Sequence, residues 1–168
     1  MGYYFAYGSN MNETRMRARV GITRRALAGR LEHWKLTLDK ASRVTGLSHA
    51  NVQPAAGHHV EGVLYELAED TQITLMDPFE GYPVEYDRQL MAIGTEEGPI
   101  DAWVYIAALG KTRRTQTLKP AWEYMQHLLA GRPFLSEHYH AQLLAQPSIE
   151  ALNDETLAML GLTRTLSH

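Results

Sequence analysis

The sequence predicts an α+β fold: a small, mixed but mostly antiparallel and barrel-like β-sheet with flanking helices and a helical C-terminal quarter. Three observations predict it. Apolar and polar residues alternate with period 2 in four or five segments before residue 118, the pattern of half-buried strands. The connections between these segments are mostly non-helical, which favours antiparallel neighbours in a sheet that curls or closes. After Pro120 the apolar spacing changes to the helical period, with Trp122, Met125, Leu128 and Leu129 on one stripe.

Tyr3 to Tyr7 is an aromatic strand that stops at the loop-forming triplet Gly8-Ser9-Asn10. Asn12 or Thr14 starts a short helix through Arg19, and Gly21 ends it. Trp34, Leu36 and Leu38 then alternate with Lys35, Thr37 and Asp39, and Val63, Tyr65 and Leu67 repeat the pattern. Asp70 caps a short helix whose apolar face is Ile73 and Met76. Proline disfavours a helical residue before it, so Asp77-Pro78 is expected to restart the chain with Asp77 as a new N-cap. That leaves Glu80-Gly81 on a tight turn before the strand from Tyr86 to Ile93. Ile100 to Ile106 forms the last clear strand. Pro120 opens a helix closed by Gly131, and Ser136 caps another from Glu137 to about Ala145. Ser148 caps a third, and Asn153-Asp154 leads into a fourth that ends at Gly161. No repeat or long linker interrupts the chain. Residues 1–168 therefore read as one domain, a β-rich core to about residue 118 and a helical part over 119–168.

Composition narrows the function. The 168 residues are 45% hydrophobic and 21% charged, enough apolar material for one sizeable core. The 16 basic and 19 acidic residues are well mixed, so no basic stripe exists to neutralise phosphates and nucleic acid is not an expected partner. Cysteine is absent, which removes disulfides, thiol nucleophiles and thiolate metal sites. No apolar stretch approaches the ~20 residues that span a bilayer, and Met1 to Met11 lacks the pattern of a secretory signal. These readings point to a cytoplasmic protein without a membrane partner. A homodimer is one oligomeric state they permit.

Tyr7-Gly8-Ser9-Asn10, directly after a strand, is a loop rich in backbone N–H groups that can hold a carboxylate or a developing oxyanion. Taken alone it is also ordinary turn chemistry. Its context is more specific. The run Tyr4-Phe5-Ala6-Tyr7-Gly8-Ser9-Asn10-Met11 resembles the opening motif of the γ-glutamyl cyclotransferases. Glu61-Gly62-Val63-Leu64-Tyr65-Glu66-Leu67 is similar to a strand signature of that family. Leu75-Met76-Asp77-Pro78-Phe79-Glu80-Gly81, followed by Tyr86-Asp87-Arg88, is similar to the segment that carries its glutamate. Leu135 and Tyr139 stand where the family often has a leucine and a tyrosine on a C-terminal helix. Met11 replaces the commoner leucine, and Ser136 the usual proline.

The resemblance, from residue 3 to about residue 144, implies a γ-glutamyl cyclotransferase-like fold with a cavity at one end of the barrel. It implies cyclisation of a γ-glutamyl amine or amino acid to 5-oxoproline, with Glu80 as general acid/base. Tyr7, Gly8, Ser9 and Asn10 would form the binding loop, and Tyr86 and Tyr139 would line the pocket. The chemistry requires neither metal nor cofactor. The leaving amine stays open: an amino acid, the ε-amine of lysine, or an intermediate protected by a γ-glutamyl group. A non-catalytic binding module on the same fold is the alternative.

Other constellations read as structural. His58-His59 sits in an expected Gly-bounded surface turn, and His138 and His140 lie two apart on a helix and so do not share a face. Ser9 lacks the elbow of a serine nucleophile and reads as a binding hydroxyl. Glu61, Glu66, Asp77 and Glu85 read as exposed strand or cap positions. Arg24-Arg25 and Arg113-Arg114 are expected in surface loops.

Overall fold

The computed structural model describes residues 2–112 and 117–162, so the Arg113-Arg114 pair lies outside the described residues. The aromatic run near the N-terminus forms β1 (Tyr3–Ala6), with Tyr4, Phe5 and Ala6 all buried. A strand apolar at successive positions belongs inside a sheet covered on both faces. β1 accordingly occupies the middle. It pairs antiparallel with β3 (Leu47–Glu66) and parallel with β5 (Ile100–Ala107), in the order β2-β3-β1-β5-β4. Here β2 is Arg25–Ala41 and β4 is Tyr86–Ile93.

The β2–β3 hairpin is much longer than the alternation indicated. β2 has 17 residues and β3 has 20, paired from Arg25↔Glu66 to Ala41↔Ser48. A register shift between Glu32 and Trp34, opposite Pro54 to His59, breaks the period. His33, at φ 66°, and Gly57, at φ 79°, supply its left-handed residues. His58-His59 therefore lies within β3 and not in a turn. Proline and glycine are tolerated inside a strand at such a bulge, and they hide it from pattern reading.

The sheet curls until its two edges meet but does not close. At the seam between β2 and β4, Arg30 and Gly94 exchange hydrogen bonds of 3.0 and 2.8 Å. Inside the curl the Phe5 ring rests on two glycines. A Cβ on Gly62 would stand 2.9 Å from that ring and 2.3 Å from the Ala6 carbonyl oxygen, and one on Gly29 would stand 2.9 Å from Ile93.

α1 (Glu13–Val20) starts at the Asn12 cap, and Gly21 follows its last residue. α2 (Gln72–Glu80) runs straight through Pro78, so the expected restart at Asp77 does not occur. The reason lies in tertiary structure. The Asp77 carboxylate is engaged by Arg88, at 2.9 and 3.2 Å, and by the Tyr105 hydroxyl at 2.6 Å, so it cannot cap a new helix. Arg88 is itself held between the rings of Tyr82 and Trp103. Asp70 does not cap α2 either, since its carboxylate accepts from the Gly2 N–H at 2.8 Å.

Pro120 belongs to the two-residue β6 (Lys119–Pro120), and α3 (Trp122–Leu129) begins after it. No helix forms at Ser148. Ile149 instead exchanges backbone hydrogen bonds of 2.9 Å with Pro120 and Trp122, which pins the C-terminal segment to the start of α3. α4 (Glu137–Leu144) and α5 (Asp154–Met159) start at the expected caps, Ser136 and Asn153. Among the described residues no helix is long and apolar enough to cross a membrane.

Gly62→Ala must displace either the Ala6 carbonyl or the Phe5 ring at the centre of the sheet. We expect a loss of about 1–3 kcal/mol or more in urea denaturation. A loss within a few tenths of a kcal/mol would show that β1 can yield there.

Candidate active site

The chain leaves β1 at the centre of the sheet, and Ser9–Met11 turns once as a 3-10 helix before Asn12 caps α1. The Asn12 carbonyl side chain accepts from the N–H groups of Thr14 and Arg15 at 3.0 and 3.4 Å. Tyr65 fixes the loop by donating its hydroxyl to the Asn10 carbonyl at 2.7 Å. Gly8 is extended, with φ −114°, so it is not a left-handed position. Glycine suits it for a different reason: a Cβ there would stand 3.1 Å from the Tyr124 hydroxyl.

Glu80 ends α2, and Gly81, in the left-handed conformation, turns the chain toward β4. The Asn10 amide, 2% exposed, donates to Glu80 Oε1 at 3.2 Å and to the Tyr4 hydroxyl at 3.0 Å. Arg19 reaches within 4.0 Å of the same carboxylate oxygen. Burial pushes the Glu80 carboxyl above the ordinary glutamate range, against the pull of Arg19, Arg15, the Asn10 hydrogen bond and Lys40.

Glu80 and the loop line one shared cavity. Tyr7, Gly8, Ser9, Asn10 and Tyr86 all line it. Three of the tyrosines around it have committed hydroxyls: Tyr7 donates to the Tyr105 carbonyl, Tyr86 to the Ala50 carbonyl, and Tyr105 to Asp77. Two do not. Tyr4 accepts from Asn10, and Tyr124 accepts from the Ala50 N–H at 2.9 Å. Among the described residues neither hydroxyl donates to a partner, so both O–H groups are available to the cavity. Burial raises every one of these phenols above its ordinary value, so all five stay neutral at physiological pH.

Tyr139 is the exception among the expected residues. It stacks on His59 at 6.3 Å and lines a separate cavity with Leu36, His58 and Leu143. The cause is the docking of α4. Glu61 on β3 accepts from the Ser136 N–H and hydroxyl at 2.7 and 2.8 Å, fixing the helix against the β2–β3 hairpin. Glu61 is thus a half-buried anchor for the Ser136 cap and not an exposed acid. Glu66 is likewise paired, with Arg25 at 3.0 Å, while Arg24 bonds the Ala68 carbonyl. Among the described residues no three His, Asp or Glu side chains converge as metal ligands.

Pattern reading missed Tyr4, Ala50, Tyr105 and Tyr124 in the lining, and Arg15 and Arg19 behind the loop. The arginines left a signal: two cations at i and i+4 share a helix face, here on the first helix after the loop. Tyr124 sits among apolar neighbours on α3, and nothing in the spacing distinguishes its hydroxyl from core packing.

The model of the family described as gamma-glutamyl cyclotransferase, AIG2-like, matches residues 4–126, and the chain belongs to that family. The match spans the elements from β1 to α3 that supply the cavity. A solved structure named "Gamma-glutamyl cyclotransferase" is 20% identical, with a TM-score of 0.73 over 95% of this chain and 98% of that one. An uncharacterized protein from Homo sapiens is similar at 21% identity and TM-score 0.74, again over 95% and 98% of the two chains. A yeast γ-glutamyl cyclotransferase specific to glutathione is 10% identical with a TM-score of 0.63, covering 85% of this chain and 93% of its own. At these identities the likeness is one of fold. No curated protein matches the chain.

A carboxyl group whose folded-state pKa lies above its unfolded one destabilises the fold once pH passes the unfolded value, and fully so above the folded value. Glu80→Gln removes that burden. The variant should be more stable than wild type at pH 7, and the difference should vanish below about pH 4. Chemical denaturation across pH reads this out, and equal stability at both ends would mean that burial does not raise the Glu80 carboxyl.

Proposed function

We propose that the protein is a γ-glutamyl cyclotransferase in which Glu80 serves as base and then acid. The observation that carries this reading is a largely buried carboxyl group, its side chain 17% exposed, held by Asn10 at 3.2 Å at the edge of the cavity that the Tyr7–Asn10 loop also lines. A γ-glutamyl amide contains its own nucleophile, the α-amine, which closes a five-membered ring on the side-chain carbonyl. Held in a cyclising conformer, such a pair reaches effective molarities of ~10⁵ M or more.

Glu80 takes a proton from the α-ammonium, and the freed amine attacks the γ-carbonyl. The oxyanion that develops, or the α-carboxylate, can be met by the N–H groups of Ser9 and Asn10 and by the Tyr124 hydroxyl. Protonated Glu80 then returns its proton to the leaving amine as the C–N bond breaks, while the ring nitrogen sheds its second proton to solvent, leaving the neutral lactam. The products are 5-oxoproline and the free amine. A carboxyl group raised by burial suits both steps. His49 and His127 are pushed down to about 4 by burial and neighbouring cations, so an activity limb above that range belongs to neither.

The reading is tested with a panel of γ-glutamyl amino acids, γ-glutamyl-ε-lysine and glutathione, scored for 5-oxoproline by mass spectrometry. Glu80→Gln should lower kcat by ~10²-fold or more on whichever compound turns over. Turnover within a few-fold of wild type would remove Glu80 from the chemistry. Gly8→Ala presses on the Tyr124 hydroxyl and should weaken 5-oxoproline binding in calorimetry while leaving the fold intact. Unchanged affinity in the folded variant would place the ligand elsewhere.

A further inference from the structure

Arg19 is joined to the site by an unusual set of contacts. Its Nη1 donates to Asn10 Oδ1 at 3.2 Å and lies 4.0 Å from Glu80 Oε1, and its guanidinium stacks on the Phe79 ring at 4.9 Å. Phe79 is 52% exposed, and its ring lies under the Arg19 guanidinium. A guanidinium only donates hydrogen bonds. The Asn10 oxygen must therefore face Arg19, and the Asn10 NH₂ must face Glu80 and Tyr4. An asparagine amide without such a neighbour can flip; this one cannot without setting two donors against each other. The consequence reaches the carboxylate. Oε1 is the held oxygen, and Oε2 carries no hydrogen bond among the described residues.

We infer that Arg19 is a positioning residue: acting through Asn10, it anchors one oxygen of Glu80 and leaves the other to meet the substrate. This rests on the assignment of Glu80 as the acid/base. Arg15, four residues earlier on the same face, has a different task. It donates to the Ser9 hydroxyl at 3.2 Å and to the Gly161 carbonyl at 3.0 Å, tying the loop to the end of α5.

Arg19 also stands closest in charge to Glu80. The other cations around the carboxyl are Arg15 and Lys40, and Lys40 is already paired with Glu85 at 2.8 Å. The phenols that face it, Tyr4, Tyr7 and Tyr105 with Tyr86 and Tyr124 beyond, do not ionise over the range in which a carboxyl titrates. Loss of the Arg19 charge should therefore move the Glu80 titration upward, whereas loss of a merely structural arginine would not.

The experiment follows the Glu80 side-chain carboxyl by carbon NMR in the full chain, with kcat/KM measured alongside. In Arg19→Met the midpoint should move to higher pH and kcat/KM should fall about 10²-fold. Arg19→Lys keeps the charge but loses the planar fork, so its midpoint should stay near wild type while kcat/KM still falls. Arg17→Met, on the exposed face of α1, should change neither. Should Arg19→Met fail to fold, Arg19→Gln provides the neutral comparison. An unmoved midpoint in the neutral variant overturns the inference, as does a lysine variant indistinguishable from it. The NMR midpoint needs no turnover, so a failed inference is distinguishable from a failed assignment of function.

Discussion

The hydrogen bond from the Asn10 amide to Glu80 is the contact on which the site depends. It joins residues 70 apart in sequence, the loop after the central strand and the last residue of α2. Neither end is free to drift. Tyr65 holds the Asn10 carbonyl from β3, and Asp77, one turn before Glu80, is clamped by Arg88 of β4 and Tyr105 of β5. Sheet, loop and helix thus converge on one carboxyl group. The continuity of α2 through Pro78 follows from the same clamp, since the side chain that could have restarted the helix is occupied.

The electrostatics explain how a carboxyl group can sit there. Burial alone would hold it protonated, and cations alone would leave it a weak base. Here Arg15, Arg19 and Lys40 surround a buried group, and the two effects oppose each other. Neutral phenols fill the rest of the wall. They add hydrogen-bonding capacity without adding charge, and among the described residues the Tyr4 and Tyr124 hydroxyls donate to no partner. A carboxyl group raised by burial weakens the fold above its unfolded-state pKa.

Much of this was legible in the sequence where local chemistry decides the outcome. The Asn12, Ser136 and Asn153 caps, the alternation in β4 and β5, and the turn at Glu80-Gly81 all follow from side chains acting on their own backbone. The loop and Glu80 were recognisable through the order and spacing of their motifs. What was not legible depends on partners distant in sequence. The bulge near His33 erased the period of a long hairpin, and Ile149 found a backbone partner at Pro120 in place of a helix. Tyr139 was misplaced because Glu61, an apparently ordinary strand acid, directs α4 to the far side of the hairpin. Tyr124 was missed because a hydroxyl at the tip of a core side chain leaves no trace in a hydrophobic pattern.

The central claim is that the substrate's own amine, and not water, attacks the γ-carbonyl under the control of Glu80. Turnover of a γ-glutamyl compound in ¹⁸O-labelled water tests this most directly. Cyclisation consumes no water, so mass spectrometry should find 5-oxoproline without the label, formed by wild type and lost in Glu80→Gln. Release of ¹⁸O-labelled glutamate would mean hydrolysis and would contradict the account.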